Sequence, residues 1–175
     1  MMEGFIRELI GDSEYAQMLR SHFEFKIVPM LNPDGVVKGN YRFSGYGCDL
    51  NRRWVNCKEQ HQPEIYYMRD LMRRLHREKS VAMYIDLHGH SRKKDVFFYG
   101  CSPKGVQNKA KLFPHLMEKI HEAYRFDKCC FSVQKDKEGT ARIAMWKLLQ
   151  IDFIYTLEAS FCGPQYGVNY LESDY

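Results

Sequence analysis

Apolar positions along the chain change their period several times, and each change marks a predicted element. Residues 2–20 place Phe5, Ile6, Leu9 and Ile10, then Ala16 and Leu19, near helical spacing. The run FEFKIVPML (23–31) predicts a buried strand, and NPDG (32–35) is a strong stop signal after it. From there to Gln62, Gly, Asn and Arg dominate without periodicity. That predicts a long loop, and long loops inside compact domains are usually functional. Pro63 opens a helix over EIYYMRDLMRRLHREK, with Ile65, Met68, Leu71, Met72 and Leu75 on one face. VAMYIDLH (81–88) predicts a fully covered central strand, DVFFYG (95–100) a further strand, and 108–124 a helix. FSVQ (131–134) is a short strand candidate, TARIAMWKLL (140–149) a helix, and DFIYTLE (152–158) another apolar strand.

Strands alternating with amphipathic helices predict an α/β class: an α/β/α sandwich around a mixed, mostly parallel sheet. In open sheets of that kind ligands gather where strands end and loops begin. Asp86-Leu87-His88 and Leu157-Glu158 both fall at such ends. A length of 175 residues suits one domain, and 45% hydrophobic with 27% charged residues excludes a disordered chain. A net charge of only +4 makes no demand for a nucleic-acid partner. The runs Arg92-Lys93-Lys94 and 135–137 would suit an acidic partner or simply a solvated loop. With no apolar run of 18 residues, no membrane partner is expected. Six cysteines, at 48, 57, 101, 129, 130 and 162, form no C-x-x-C, and free thiols fit a reducing, cytoplasmic setting.

Three groups could do chemistry. Glu158 ends the apolar run FIYTL, and desolvation would raise its pKa toward that of a general acid or base; a strand-end salt bridge is the alternative. Asp86 and His88, two apart in a strand, share a face, so the carboxylate can fix the imidazole as a metal ligand or simply form a buried pair. His90, after Gly89, could be a ligand, a supporting residue or a substrate contact. The loop 39–54 holds Arg42, Asn51, Arg52 and Arg53 among glycines. A guanidinium fork beside an amide is a natural receptor for a carboxylate, while arginines stacked on Tyr41, Tyr46 and Trp54 are the alternative.

NPDG, GNYR, G-x-DLNRRW, DLHGHS with FFYG, and YTLEAS follow one another in this order. The set resembles the M14 zinc carboxypeptidases over residues 2–164, most closely their cytosolic branch, which trims glutamates from tubulin and other acidic tails. The resemblance implies a mixed eight-stranded sheet, with residues 1–175 forming a partial catalytic domain. It makes His88 a zinc ligand and Glu158 the acid/base for the metal-bound water. Asn51 and Arg52 would hold the substrate's C-terminal carboxylate, and Arg42 would stabilise the tetrahedral oxyanion. Lys135, Lys137 and Arg142 are candidates for a pocket that prefers acidic residues. The implied partners are polyglutamylated or acidic-tailed proteins such as tubulin, and the implied cofactor is one Zn²⁺ per complete domain.

The family's first two zinc ligands come from an H-x-x-E placed before NPDG. Nothing upstream of Asn32 offers it, since His22 is followed by Phe23-Glu24-Phe25. HQPE (61–64) fits the pattern in the wrong order, and Pro63 with Glu64 suits the first turn of a helix instead. The expectation is therefore an N-terminally truncated metallocarboxypeptidase that lacks two ligands. Two further readings stand beside it: a non-catalytic module for acidic C-terminal tails, and an amidohydrolase acting on N-acyl amino acids.

Overall fold

The computed structural model describes residues 1–102 and 109–165; residue 108 of the expected helix and residues 166–175 of the expected domain lie outside these. Three strands form one sheet: β1 (Tyr84–His90), β2 (Val96–Tyr99) and β3 (Ile154–Ser160), in the order β1-β3-β2. β1 runs parallel to β3 and β2 antiparallel to it, so the sheet is mixed. Of the eight strands that the resemblance implies, these three are the ones among the described residues.

The helices are α1 (Met2–Ile10), α2 (Glu14–His22), α3 (Pro33–Lys38), α4 (Pro63–Lys79), α5 (Leu112–Met117) and α6 (Ala141–Leu149). α4 begins where the sequence says it should. Pro63 needs no donor at the first helical position, Glu64 complements the positive end of the helix, and His76, Arg77 and Lys79 the negative end. Its buried Ile65 and Met72 pack with Met145 and Leu149 of α6, Ile154 of β3 and Trp54. Tyr155 points to the opposite face, where it joins Phe98, Tyr124 and, from α5, Phe113. Helices thus cover both sides of β3, the most buried strand, and the sandwich is real.

Several expectations are corrected. The central strand is β3, not the run at 81–88: β1 is a sheet edge among the described residues. β1 also starts late, because the Val81 N–H is used by His76 Nδ1 at 3.3 Å. Residues 23–31 form no strand: they pair with no strand among the described residues, so the apolar run lacks the partner a strand needs. NPDG does not merely stop an element. Asn32 Oδ1 accepts the Gly35 N–H at 3.1 Å and caps α3 inside the expected loop. The helix expected over 108–124 ends early, at Met117, because the chain turns back beside β2. There Val96 N–H donates to the Ala123 carbonyl (2.9 Å) and Arg125 N–H to the Val96 carbonyl (2.8 Å). The strand candidate at 131–134 forms no strand; the bridge nearest to it, Tyr99 with Cys130, lies one residue earlier.

Candidate active site

His88 and Glu158 lie directly opposite each other in the parallel register of β1 and β3. Paired positions on neighbouring strands share a face, so imidazole and carboxylate stand side by side above the sheet. Asp86 completes the row: its Oδ2 lies 2.7 Å from His88 Nε2, as the two-residue spacing predicts. That contact leaves Nδ1 of His88 for another partner. Burial works against a charged imidazole at His88, but the Asp86 hydrogen bond and the charges of Asp86 and Glu158 outweigh it and raise its pKa. Burial is the main cause that lifts the Glu158 carboxyl above the usual carboxylate range, with the His88 charge pulling the other way. The pair therefore shares proton affinity between a strengthened base and a weakened acid.

Arg42 reaches the same region. Its charge acts on both His88 and Glu158, and its Nη1 donates to Asp49 Oδ2 at 3.1 Å. Asp49 does a second job, because its Oδ1 accepts the Asn51 N–H at 2.9 Å and starts a short 3-10 turn over Leu50–Arg52. One carboxylate thus positions two of the expected site residues, and its own role was missed in the sequence. The readable signal was an Asp two residues before an Asn, the pattern of an Asx turn.

Asn51 and Arg52 are tied to α6 rather than to the strands. Asn51 Oδ1 accepts the Ala141 N–H at 2.8 Å, and the Trp54 N–H donates to the Gly139 carbonyl at 3.1 Å. Gly139 has to be glycine, since a Cβ there would stand 2.5 Å from the Arg52 carbonyl oxygen. The Arg52 guanidinium is exposed and donates to the Asn51 carbonyl at 2.8 Å. No direct contact joins Arg52 to His88 or Glu158 among the described residues. The link runs through α6: Arg142 lies beside the Tyr99 ring at 6.0 Å, and Glu158 acts electrostatically on Tyr99.

Several candidates have other work. Arg142 is buried and donates to the Gly100 carbonyl and, at 3.3 Å, to Cys101 Sγ. Lys135 and Lys137 sit in an exposed 3-10 turn, and Lys137 lies 3.5 Å from Asp136. His90 Nδ1 accepts the backbone N–H groups of Arg92 (3.1 Å) and Lys93 (2.9 Å), so it caps a turn. His61 stacks edge-on against Tyr46 at 5.9 Å. The exposed Phe161 ring lies over Gly89, between the two histidines, 2.2 Å from where a Cβ would be, so a larger residue there would displace that ring.

Zinc can be tested against this donor set. A catalytic zinc needs three converging protein ligands, and His88, anchored by Asp86 through one nitrogen, offers one. Among the described residues no group of three His, Cys, Asp or Glu side chains is placed to hold a metal ion. These residues fit one corner of a zinc site and do not complete it.

The comparisons with known proteins agree with the geometry. The family profile described as Zinc carboxypeptidase, Peptidase M14, matches residues 1–163. "Cytosolic carboxypeptidase 3" of Mus musculus is 45% identical over 174 residues, covering 95% of this chain and 17% of that protein. "Cytosolic carboxypeptidase 2" of Xenopus tropicalis is 47% identical over 171 residues, covering 95% of this chain and 18% of that protein. The chain thus spans under a fifth of the length of these two relatives. A solved putative carboxypeptidase A from Shewanella denitrificans superposes with a TM-score of 0.78 at 26% identity, over 91% of this chain and 43% of that one. A metallo-carboxypeptidase from Burkholderia cenocepacia gives 0.75 at 26% identity, with the same coverage. No described helix is long and apolar enough to cross a membrane. The chain belongs to the M14 family of zinc carboxypeptidases.

Proposed function

We propose that this chain carries the proton-transfer and carboxylate-recognition part of a metallocarboxypeptidase site. Its substrates would be C-terminal or branched glutamates on acidic protein tails, such as those of tubulin, in the cytoplasm. The observation that supports this most is the His88–Glu158 pair on one face, with Asp86 behind the imidazole and the Arg42 charge reaching both. In this reading Glu158, its acidity weakened by burial, takes the proton of the attacking water and later gives it to the leaving amine. Arg42 would leave Asp49 to face the oxyanion of the tetrahedral intermediate. Asn51 keeps its Nδ2 hydrogens for the substrate's terminal carboxylate, since its Oδ1 is held by α6, and Arg52 adds the guanidinium fork. Zinc would polarise the scissile carbonyl, and His88 is the one ligand among these residues for it.

A second reading is favoured by that incomplete donor set: a module that binds acidic tails without cutting them. One experiment separates the two. The chain is incubated with zinc and short polyglutamate peptides, and zinc content, binding and released glutamate are measured. Stoichiometric zinc with glutamate release, lost in Glu158→Gln while zinc is retained, supports the enzyme. Binding of free-carboxyl peptides without release or zinc supports the module. If amidated peptides bind as well as free ones, the assignment of Asn51 and Arg52 is wrong.

A further inference from the structure

The site described above surrounds a prospective acidic substrate with carboxylates. Asp86 and Glu158 lie on the floor, and Arg42 is paired with Asp49. A terminal glutamate brings two carboxylates of its own. Asn51 and Arg52 account for the main-chain one, and the side-chain one needs a cation. Arg142 cannot serve, being buried with its guanidinium committed to Gly100 and Cys101.

Lys93 can. Its ammonium lies over the Phe97 ring at 4.9 Å and the Tyr99 ring at 5.6 Å. Phe97 is the register partner of Glu158, and Tyr99 that of Thr156, so this cation stands on the Glu158 face of the sheet, on the side away from His88. Its positive charge is felt at Glu158. Among the described residues no carboxylate pairs with it, and its hydrogen bond, at 3.3 Å, goes to the Lys128 carbonyl. Two aromatic faces and one carbonyl therefore hold an exposed ammonium in place while leaving donors free.

The position of Lys93 is built, not incidental. His90 Nδ1 takes the N–H groups of both Arg92 and Lys93, which folds the turn after β1 back over the sheet. The His90 ring itself packs edge-on against Phe97, with centroids 5.3 Å apart. The same ring thus fixes both the backbone of Lys93 and one of the two faces its ammonium rests on.

We propose that Lys93 reads the side-chain carboxylate of the substrate's terminal residue, with His90 as its positioning residue. This rests on the reading of Asn51 and Arg52 as the receptor for the terminal carboxylate. It requires no turnover, so binding alone tests it. Calorimetry on the whole chain compares two short peptides identical except for a C-terminal Glu or Gln, each with a free or an amidated terminus. The wild-type chain is expected to prefer Glu, and Lys93→Met to weaken the Glu peptide about tenfold while leaving the Gln peptide unchanged, the loss of one charged hydrogen bond. Lys93→Arg should retain part of the preference, and His90→Ala should lower the Glu-to-Gln ratio by a smaller factor. If Lys93→Met weakens both peptides equally or neither, Lys93 is not the reader. If the wild type binds neither peptide, or ignores amidation, the underlying receptor assignment falls and takes this proposal with it.

Discussion

The two ends of this chain obey opposite rules of burial. From Pro63 onward lies most of the core: Ile65, Phe97, Ile143, Met145, Ile154 and Tyr155 are all fully buried, although Leu112, Ile120 and Phe161 there stand exposed. Before it, Phe5, Ile10, Met18, Phe23, Val28, Met30 and Val37 stand in solvent. α1 and α2 pack chiefly on each other, and residues 24–31 donate no backbone hydrogen bond among the described residues. Composition does not separate the two halves, since both are rich in apolar residues. Neighbours do. A hydrophobic residue contributes only when there is a second surface to remove it from water, about 25 cal/mol for each Å² covered. The C-terminal part holds both surfaces of its sandwich; the N-terminal part offers one.

The contrast can be tested from its strongest side. Met145→Ala, at 0% exposure between α4 and the sheet, should cost about 3 kcal/mol in urea unfolding. A loss under about 1 kcal/mol would mean the core is far looser than its packing. Asp95→Asn comes next, at about 2 kcal/mol near neutral pH, because Asp95 is buried against Lys128 and asparagine keeps its left-handed backbone without the charge. Burial alone would raise the Asp95 pKa, but the Lys128 hydrogen bond and the Gln165 N–H outweigh it, and it stays below the ordinary value. A depressed pKa stabilises the fold above the unfolded-state value and loses that contribution as pH falls through the folded one. The gap between wild type and Asp95→Asn should therefore close below about pH 4. A gap that persists in acid would assign the effect to packing instead.

Tyr155→Phe removes the hydroxyl that donates to the Ala110 carbonyl at 2.8 Å and should cost about 1 kcal/mol. The smallest effect belongs to the other end. Ile10→Ser and Val37→Ser, at 70% and 86% exposure, should change stability by less than about 0.5 kcal/mol while reducing binding of an apolar dye. A larger loss of stability would show that the N-terminal face is covered in solution. Hydrogen exchange sharpens the same point: amides 24–31 should exchange fast, and those of β3 slowest of all.

The same division explains what could be read in the sequence. α4, α6 and β3 were legible because a helix start, an apolar stripe and a short buried run are local signals. FEFKIVPML carries as good a strand pattern as DFIYTLE, yet only the second has neighbours on both sides. Strand formation is settled by a partner, which no local pattern contains. In the site, the Asp86–His88 contact followed from two-residue periodicity. The pairing of His88 with Glu158 did not, since parallel register is fixed across a sequence separation of 70 residues. The work of Asp49 and His90 was hidden for a third reason. Both act on backbone N–H groups, so their roles depend on where the chain turns rather than on which residues adjoin them.

The parallel pairing of β1 with β3 acts as a ruler for the chemistry. Because positions 88 and 158 are rungs of one ladder, the gap between the proposed base and the proposed zinc ligand is set by the ~4.8 Å pitch that all sheets share, not by any flexible loop. A slip of a single residue would swing one of the two partners through to the far side of the sheet and dismantle the centre outright. This part of the molecule can tolerate a change of neighbour, but not a change of step.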